Sequence, residues 1–139
     1  MKKPRVLLII PAYNEEKSIQ KTLTPVLQSE YDYIIINDDS IDSTPSILQS
    51  NKYNHINLIS NLGIGGAVQT GYKYAQENDY DIAVQFDADG QHDINSIPNL
   101  IRPILDNSAD FVIGSRFINK GQTNFKSSFL RRIGIRLIS

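Results

Sequence analysis

Residues 5–15 have the sequence RVLLIIPAYNE, and this stretch decides the fold class. Residues 5–10 form a nearly unbroken aliphatic run, which is typical of a strand buried on both faces of a parallel sheet. The polar residues 11–15 follow at once. Ligands of open α/β sheets bind beyond the carboxyl ends of the strands, so a polar segment in this place predicts part of a binding site.

The alternation of a short apolar run with a longer amphipathic stretch continues along the chain. It predicts further strands at residues 33–37, 57–60, 82–86 and 111–113. The helices are predicted at residues 15–28, from 43 or 44 to 48, at 65–78 and at 94–105. Strands that alternate with helices favour an α/β fold, with a mostly parallel sheet and helices on both faces.

A polar cluster follows each of the five predicted strands. In a parallel sheet these clusters would meet along one edge, where the strands end. The clusters are residues 11–15, 37–40, 61–63, 87–89 and 114–116.

The charge distribution suggests an anionic partner. The chain of 139 residues fits one domain, and its net charge of −1 argues against a polybasic nucleic-acid binder. Residues 111–139 nevertheless carry six basic side chains and no acid, which leaves residues 1–110 with a net charge of −7. This pattern, an acidic body followed by a basic tail at residues 111–139, suggests that anionic ligands bind near the tail.

The absence of cysteine excludes disulfides, thiolate zinc sites and cysteine nucleophiles, and it suits a reducing compartment. The longest early apolar run, residues 6–10, is too short for a signal sequence or a transmembrane helix. We therefore expect a soluble, cytoplasmic chain, and the sequence leaves open a position at the cytoplasmic face of a membrane.

The pair Asp87 and Asp89 is the sharpest local signal. Side chains at i and i+2 leave a strand on the same side, so both carboxylates could hold a divalent cation together with substrate phosphates. Gln91 and His92 follow and could add a ligand. A solvated acidic turn is the alternative, whereas an EF-hand is excluded because Pro98 stands at the twelfth loop position.

Two other clusters leave a structural and a functional interpretation open. Residues 37–40 could hydrogen-bond a base or ribose, or they could form an Asx turn before a helix cap that involves Asp42, Ser43 or Thr44. The cap accounts for Ser43 and Thr44 but not for Asp38. The glycines of residues 63–67 either allow tight packing or let a ligand approach a helix N-terminus, but they match neither a P-loop nor a dinucleotide fingerprint.

Together the clusters resemble family 2 inverting glycosyltransferases, and within them the polyprenyl-phosphate branch of the dolichol-phosphate mannose synthase type. The resemblance runs from residue 5 to about residue 132. It implies a GT-A fold with a Rossmann-like nucleotide-sugar-binding domain, a UDP- or GDP-sugar donor, Mg²⁺ or Mn²⁺ as cofactor and a polyprenyl phosphate acceptor. The matching segments are residues 11–16 (PAYNEE), 37–44 (NDDSIDST), 61–67 (NLGIGGA), 87–92 (DADGQH) and 114–117 (GSRF).

The resemblance also implies roles for residues at the matching positions. Asp87 and Asp89 would bind the metal, with Gln91 as a third ligand. Asp89, Arg116 and Arg131 would be the catalytic residues, the two arginines through phosphate contacts. The expected substrate-binding residues are Pro11, Ala12, Tyr13, Asn14, Glu15, Asp38, Gly63, Gly65, Asp87 and Ala88.

The sequence departs from the family pattern at three places: Asn37 replaces an acid, Asp39 a glycine and Ile64 a frequent lysine. The resemblance implies a general base beyond residue 116 that this sequence lacks, so we expect a piece of a longer protein. We divide it into a nucleotide-sugar-binding domain, residues 1–118, and an incomplete acceptor-side region, residues 119–139.

Other functions remain open from the sequence. A non-catalytic nucleotide-sugar binder is the main alternative, and a nucleotidyltransferase or a polysaccharide-extending glycosyltransferase is less favoured. Nucleic acid is not expected as a partner, whereas membrane contact through the basic tail and homodimerisation are left open.

Overall fold

The computed structural model of the protein describes residues 2–114. Four parallel strands form one sheet in the order β3-β2-β1-β4. The strands are β1 Val6–Ala12, β2 Asp32–Asn37, β3 His55–Asn57 and β4 Ile82–Gln85. The helices are α1 Ile19–Leu27, α2 Thr44–Ser50, α3 Gly63–Glu77 and α4 Ile97–Leu105, the last preceded by a 3₁₀ turn at Ile94–Ser96.

Strand β1 lies at the centre of the core, and all seven of its residues are buried. Leu7 and Ile9 face α3 together with Ile34 and Ile36 of the neighbouring strand. The opposite face of the sheet is also covered, because its side chains are fully buried as well; these are Leu8, Ile10 and Ile35. The α/β fold with a parallel sheet is thus confirmed in the part of the chain that the structure describes.

Helix α3 approaches β1 so closely that one position has no room for a side chain. A β-carbon added at Gly71 would lie 2.2 Å from Cγ2 of Ile9, which is itself fully buried. We expect Gly71→Ala to lower the free energy of unfolding by about 1–3 kcal/mol, because overpacking strains a close-packed core.

Gly65→Ala on the same helix is the matched control, since an added β-carbon there meets no atom within 4 Å. Chemical denaturation of both variants measures the difference. Equal stabilities would show that α3 does not pack on Ile9 as described.

Several predicted boundaries need correction. The strand predicted at residues 111–113 is wrong, because these residues have no ladder partner among the described residues and Phe111 is 74% exposed. A three-residue apolar pattern specifies a strand only when a neighbouring strand pairs with it. Strand β3 begins two residues earlier and ends three residues earlier than predicted, so the two ranges share only Asn57. Helix α1 begins four residues later than predicted, and α3 begins at Gly63 rather than Gly65.

Residues up to Ile101 form one compact unit, and Arg102 begins a second. In the described part of the second unit, the Ser108 and Ala109 amides both donate to the carbonyl of Pro103 and form a turn after α4. The domain boundary predicted after residue 118 lies outside the described residues and stays a prediction. Within residues 2–114, no helix has the length and apolar character needed to cross a bilayer.

Candidate functional site

A cleft of about 210 Å³ lies where β1, β2 and β4 end. It brings together three of the polar clusters singled out in the sequence, although they are far apart along the chain. Ile64 and Ala67 of α3 add an apolar wall, and both belong to the segment 61–67 that carries part of the family resemblance. The lining residues are Pro11, Ala12, Tyr13, Glu15, Asp38, Ile64, Ala67, Asp87, Ala88 and Asp89.

The segment after strand β4, residues 86–92, is called the acidic loop. At its start, buried and more exposed residues alternate as they do along β4. Phe86 and Ala88 are buried at 1% and 2% exposure, whereas Asp87 is half-buried and Asp89 is exposed. The two carboxylates therefore leave the chain on one side, as their spacing predicts. Both line the cleft.

Asp87 and Asp89 differ in how they are held. Gln85 donates its side-chain amide to Oδ1 of Asp87 at 2.8 Å, and Nε2 of His92 lies 3.3 Å from Oδ2. Asp89 accepts the backbone N–H of Gln91 at 2.9 Å and is otherwise turned to solvent. Asp87 is the more tightly fixed of the two carboxylates, and the exposed Asp89 is the more accessible.

The donor set suits a magnesium-like cation. Carboxylate oxygens are the ligands that Mg²⁺ and Mn²⁺ prefer, and Mg²⁺ commonly takes only one or two of them with phosphate and water. No cluster of three His, Cys, Asp or Glu side chains able to hold a metal occurs among residues 2–114. Two carboxylates at an open cleft therefore fit a cation that is shared with a phosphate ligand.

Asp38 lines the cleft and is buried, at 3% exposure. Its Oδ1 accepts the backbone N–H of Leu62 at 2.7 Å, and its carbonyl accepts the side-chain amide of Asn61 at 3.1 Å. Its own N–H donates to the carbonyl of Ala12 at 2.9 Å. Asp38 thus joins the end of β1 to the start of α3, a structural role that the sequence did not reveal.

The loops after β1 and β2 are fastened together by Asn14. This residue has a φ of 53°, and its Oδ1 accepts the backbone N–H groups of Ile41 and Asp42 at 2.9 and 3.3 Å. Its backbone N–H donates to the hydroxyl of Ser40 at 3.0 Å. Asn14 is not among the residues that line the cleft, and its predicted part in substrate binding stays a prediction.

A second set of contacts reinforces the same junction. The Glu16 amide donates to Asp42, and the carboxylate of Glu16 accepts the Ser43 amide at 2.9 Å. Burial raises the pKa of Asp42, but hydrogen bonds from Thr44 and from the Glu16 backbone outweigh that effect and lower it. Of the three cap candidates, only Asp42 accepts a helix-start amide, that of Thr44 at 2.8 Å.

Glu15 and Thr44 also belong to this junction. The hydroxyl of Thr44 accepts the Glu15 amide at 2.9 Å, and the Ser18 hydroxyl donates to the Glu15 carboxylate. These contacts hold the Glu15 side of the cleft in place. The sequence suggested Thr44 only as a helix cap.

The two glycine candidates do not line the cleft. Gly63 has a φ of 77°, which favours glycine, and its N–H donates to the side chain of Asn61 at 3.1 Å. Gly65 lines an adjacent open cavity along α3 that shares Ile64 with the cleft. Gln91 is exposed and is not among the cleft residues, while Arg116 and Arg131 lie outside the described residues.

A family model described as glycosyl transferase family 2 matches residues 7–137. The chain belongs to this family. The match extends over both the cleft and the basic tail, so the five sequence clusters lie within one family 2 domain. The resemblance drawn from the motifs is thereby confirmed.

Several proteins similar to this chain are named as transferases that act on lipid phosphates. The chain is 42% identical over 132 residues to the UDP-N-acetylglucosamine–dolichyl-phosphate N-acetylglucosaminyltransferase of Methanococcus voltae, covering 82% of this chain and 53% of the relative. It is 34% identical to the undecaprenyl-phosphate mannosyltransferase of Micrococcus luteus, covering 85% and 51%. The chain spans about half the length of the curated relatives that it matches.

Solved structures support the GT-A fold expected for family 2. The S. aureus TarS structure in complex with UDP superposes with a TM-score of 0.56 at 20% identity, covering 70% of this chain and 32% of that one. Mycobacterium tuberculosis glucosyl-3-phosphoglycerate synthase in complex with Mn²⁺, UDP and glucosyl-3-phosphoglycerate gives the same TM-score at 22% identity, covering 73% and 40%. At such identities the likeness extends to the fold alone.

Proposed function

We propose that the protein transfers a sugar from a nucleoside-diphosphate sugar to a polyprenyl phosphate. The observation that carries this proposal is the cleft, which is lined both by Asp38 with residues 11–13 and by the pair Asp87 and Asp89. The chain that contains this cleft belongs to family 2. One end of such a cleft suits a nucleoside and the other end suits a diphosphate. The proposal concerns the whole protein, of which this chain carries the donor side.

The nucleoside end is assigned to Tyr13 and Asp38. Tyr13 lines the cleft with 46% of its surface exposed, so its ring is available to stack on a base or ribose. The Asp38 carboxylate accepts hydrogen bonds, and a uracil or guanine N–H is a matching donor. We favour UDP over GDP because the relative from M. voltae is named for a UDP-sugar.

The diphosphate end is assigned to Asp87 and Asp89, with Gln91 as a further ligand. A divalent cation, Mg²⁺ or Mn²⁺, would neutralise the negative charge that develops on the leaving nucleoside diphosphate. The exposed Asp89 and the half-buried Asp87, which Gln85 and His92 contact, would be its carboxylate ligands. A solved protein of the same fold contains both Mn²⁺ and UDP, which supports this assignment.

The acceptor is assigned to the basic tail. A phosphate oxygen attacks the anomeric carbon while the bond from that carbon to the diphosphate breaks, so the configuration inverts. A phosphate is already anionic at neutral pH and needs no strong base, so positioning matters most. Arg116 and Arg131 are our candidates for this task.

A polyprenyl tail stays in lipid, so we place the reaction at the cytoplasmic face of a membrane.

Transfer of radiolabelled sugar to polyprenyl phosphate in the presence of Mn²⁺ tests this proposal. We expect UDP-N-acetylglucosamine and other UDP-sugars to label the lipid, with GDP-mannose as the comparison donor. Nucleotide affinity without any labelled lipid would instead support a non-catalytic binder. Labelling of a polysaccharide in place of the lipid would contradict the assignment of the acceptor.

A further inference from the structure

The acidic loop rests on a buried hydroxyl of helix α1. Oγ1 of Thr22 donates to the backbone carbonyl of Ala88 at 2.9 Å, although the two residues are 66 positions apart. Both residues are 2% exposed. A hydrogen bond buried in this way is costly to lose, because the carbonyl would be left without its partner.

The orientation of this hydroxyl is not the one that a helical threonine adopts by default. Thr24, on the same helix, donates to the carbonyl of Gln20 one turn earlier at 2.9 Å, which is a common local bond for threonine. Thr22 instead reaches across to the acidic loop. The loop passes directly over it, since a β-carbon placed on Gly90 would lie 3.9 Å from its oxygen.

The Ala88 carbonyl belongs to the peptide plane that leads into Asp89. Fixing this plane restricts the direction in which the Asp89 side chain leaves the backbone, because a peptide unit is rigid. Asp87 has its own side-chain partners, Gln85 and His92, whereas Asp89 is exposed and bonds only within its loop in the contacts described above. The backbone is therefore the main means by which the fold can hold Asp89.

We propose that Thr22 is a positioning residue that sets the spacing of Asp87 and Asp89 for a divalent cation. The inference rests on the proposed function, because it assumes that this pair binds a metal with the nucleotide. Ligands held in place before binding lose less conformational freedom when the metal arrives. Thr22 is not among the residues that line the cleft, and within residues 2–114 its hydrogen bond to the acidic loop is to the backbone.

Thr22→Val removes the hydroxyl at nearly constant volume, and Thr22→Ser keeps it. We expect Thr22→Val to reduce the gain in UDP affinity produced by Mn²⁺ about tenfold, as typical for partners that orient metal ligands. UDP affinity without Mn²⁺ stays unchanged. Thr22→Ser and the matched control Thr24→Val keep the full gain, as measured by calorimetry.

Hydrogen exchange in the metal-free chain gives an independent readout. The amides of residues 88–91 exchange faster in Thr22→Val than in the unsubstituted protein, and Thr22→Ser restores them. If Thr22→Val does not fold, Thr22→Ala serves in the same two measurements. Unchanged exchange and an unchanged Mn²⁺ effect would overturn the inference, as would an equal loss of affinity with and without Mn²⁺.

The two proposals can fail separately. If the unsubstituted protein binds neither UDP nor GDP, with or without Mn²⁺, the proposed function is wrong, and the exchange data then test only whether Thr22 fixes the acidic loop. If it binds UDP with Mn²⁺ and Thr22→Val does so equally well, only the role of Thr22 is refuted.

Discussion

Asp89→Asn is expected to abolish the contribution of Mn²⁺ to nucleotide binding. The amide oxygen of asparagine is neutral and attracts a divalent cation far less than a carboxylate does. Asp89 is exposed, and an asparagine can still accept the Gln91 amide, so the fold should persist. Loss of a residue that only orients a metal ligand typically lowers metal affinity by about tenfold or more. Loss of the ligand Asp89 itself should therefore lower the Mn²⁺-dependent part of the nucleotide affinity by at least as much.

Asp93→Asn is the matched control for this variant. Asp93 lies four residues further on, is exposed, accepts a local backbone amide at 2.9 Å and does not line the cleft. It should leave the calorimetric titrations with and without Mn²⁺ unchanged. If Asp89→Asn retains the same Mn²⁺ dependence as the unsubstituted protein, the metal assignment is wrong.

Substitution of Asp38 should separate its structural role from its proposed role in base recognition. Asp38→Asn keeps an oxygen for the Leu62 amide, so the free energy of unfolding should change by no more than about 1 kcal/mol. The charge offered to the base is lost, however, and a hydrogen bond to a charged group is worth about 1.5–3 kcal/mol. UDP affinity should therefore fall roughly tenfold or more.

Asp38→Ala removes both functions and should also destabilise the chain by about 1–3 kcal/mol, because the Leu62 amide loses its partner. Asp39→Asn is the control: Asp39 is exposed, its φ is 57°, and asparagine tolerates that conformation well. Normal UDP binding by Asp38→Asn, together with a destabilised Asp38→Ala, would reduce Asp38 to a structural residue.

The sequence predicted the elements that depend on local pattern. The run in β1 indicated a strand buried on both faces, and the spacing of Asp87 and Asp89 predicted two carboxylates on one side. Both follow from the period of two along a strand, which needs no knowledge of distant residues. The meeting of the clusters after β1, β2 and β4 followed from the parallel sheet in the same way.

The sequence could not predict which polar side chains would be used by the fold itself. Asn14 was predicted only as a substrate-binding residue, and its contact between two loops was not foreseen. Asp38 was left between two interpretations, neither of which included its bond to the amide at the start of α3. Thr22 gave no signal, because a threonine in an amphipathic helix is unremarkable until its distant partner is known. These hydrogen bonds join residues that are far apart in the chain, so the local sequence pattern cannot predict them.

We propose above all that the cleft binds a nucleoside diphosphate through Asp38 and through a cation held by Asp87 and Asp89. Calorimetric titration of the protein with UDP, and separately with GDP, in the presence and absence of Mn²⁺ tests it most directly. We expect one nucleotide to bind per chain, with an affinity that rises when Mn²⁺ is added. Absence of binding under every condition, or binding indifferent to Mn²⁺, would contradict it.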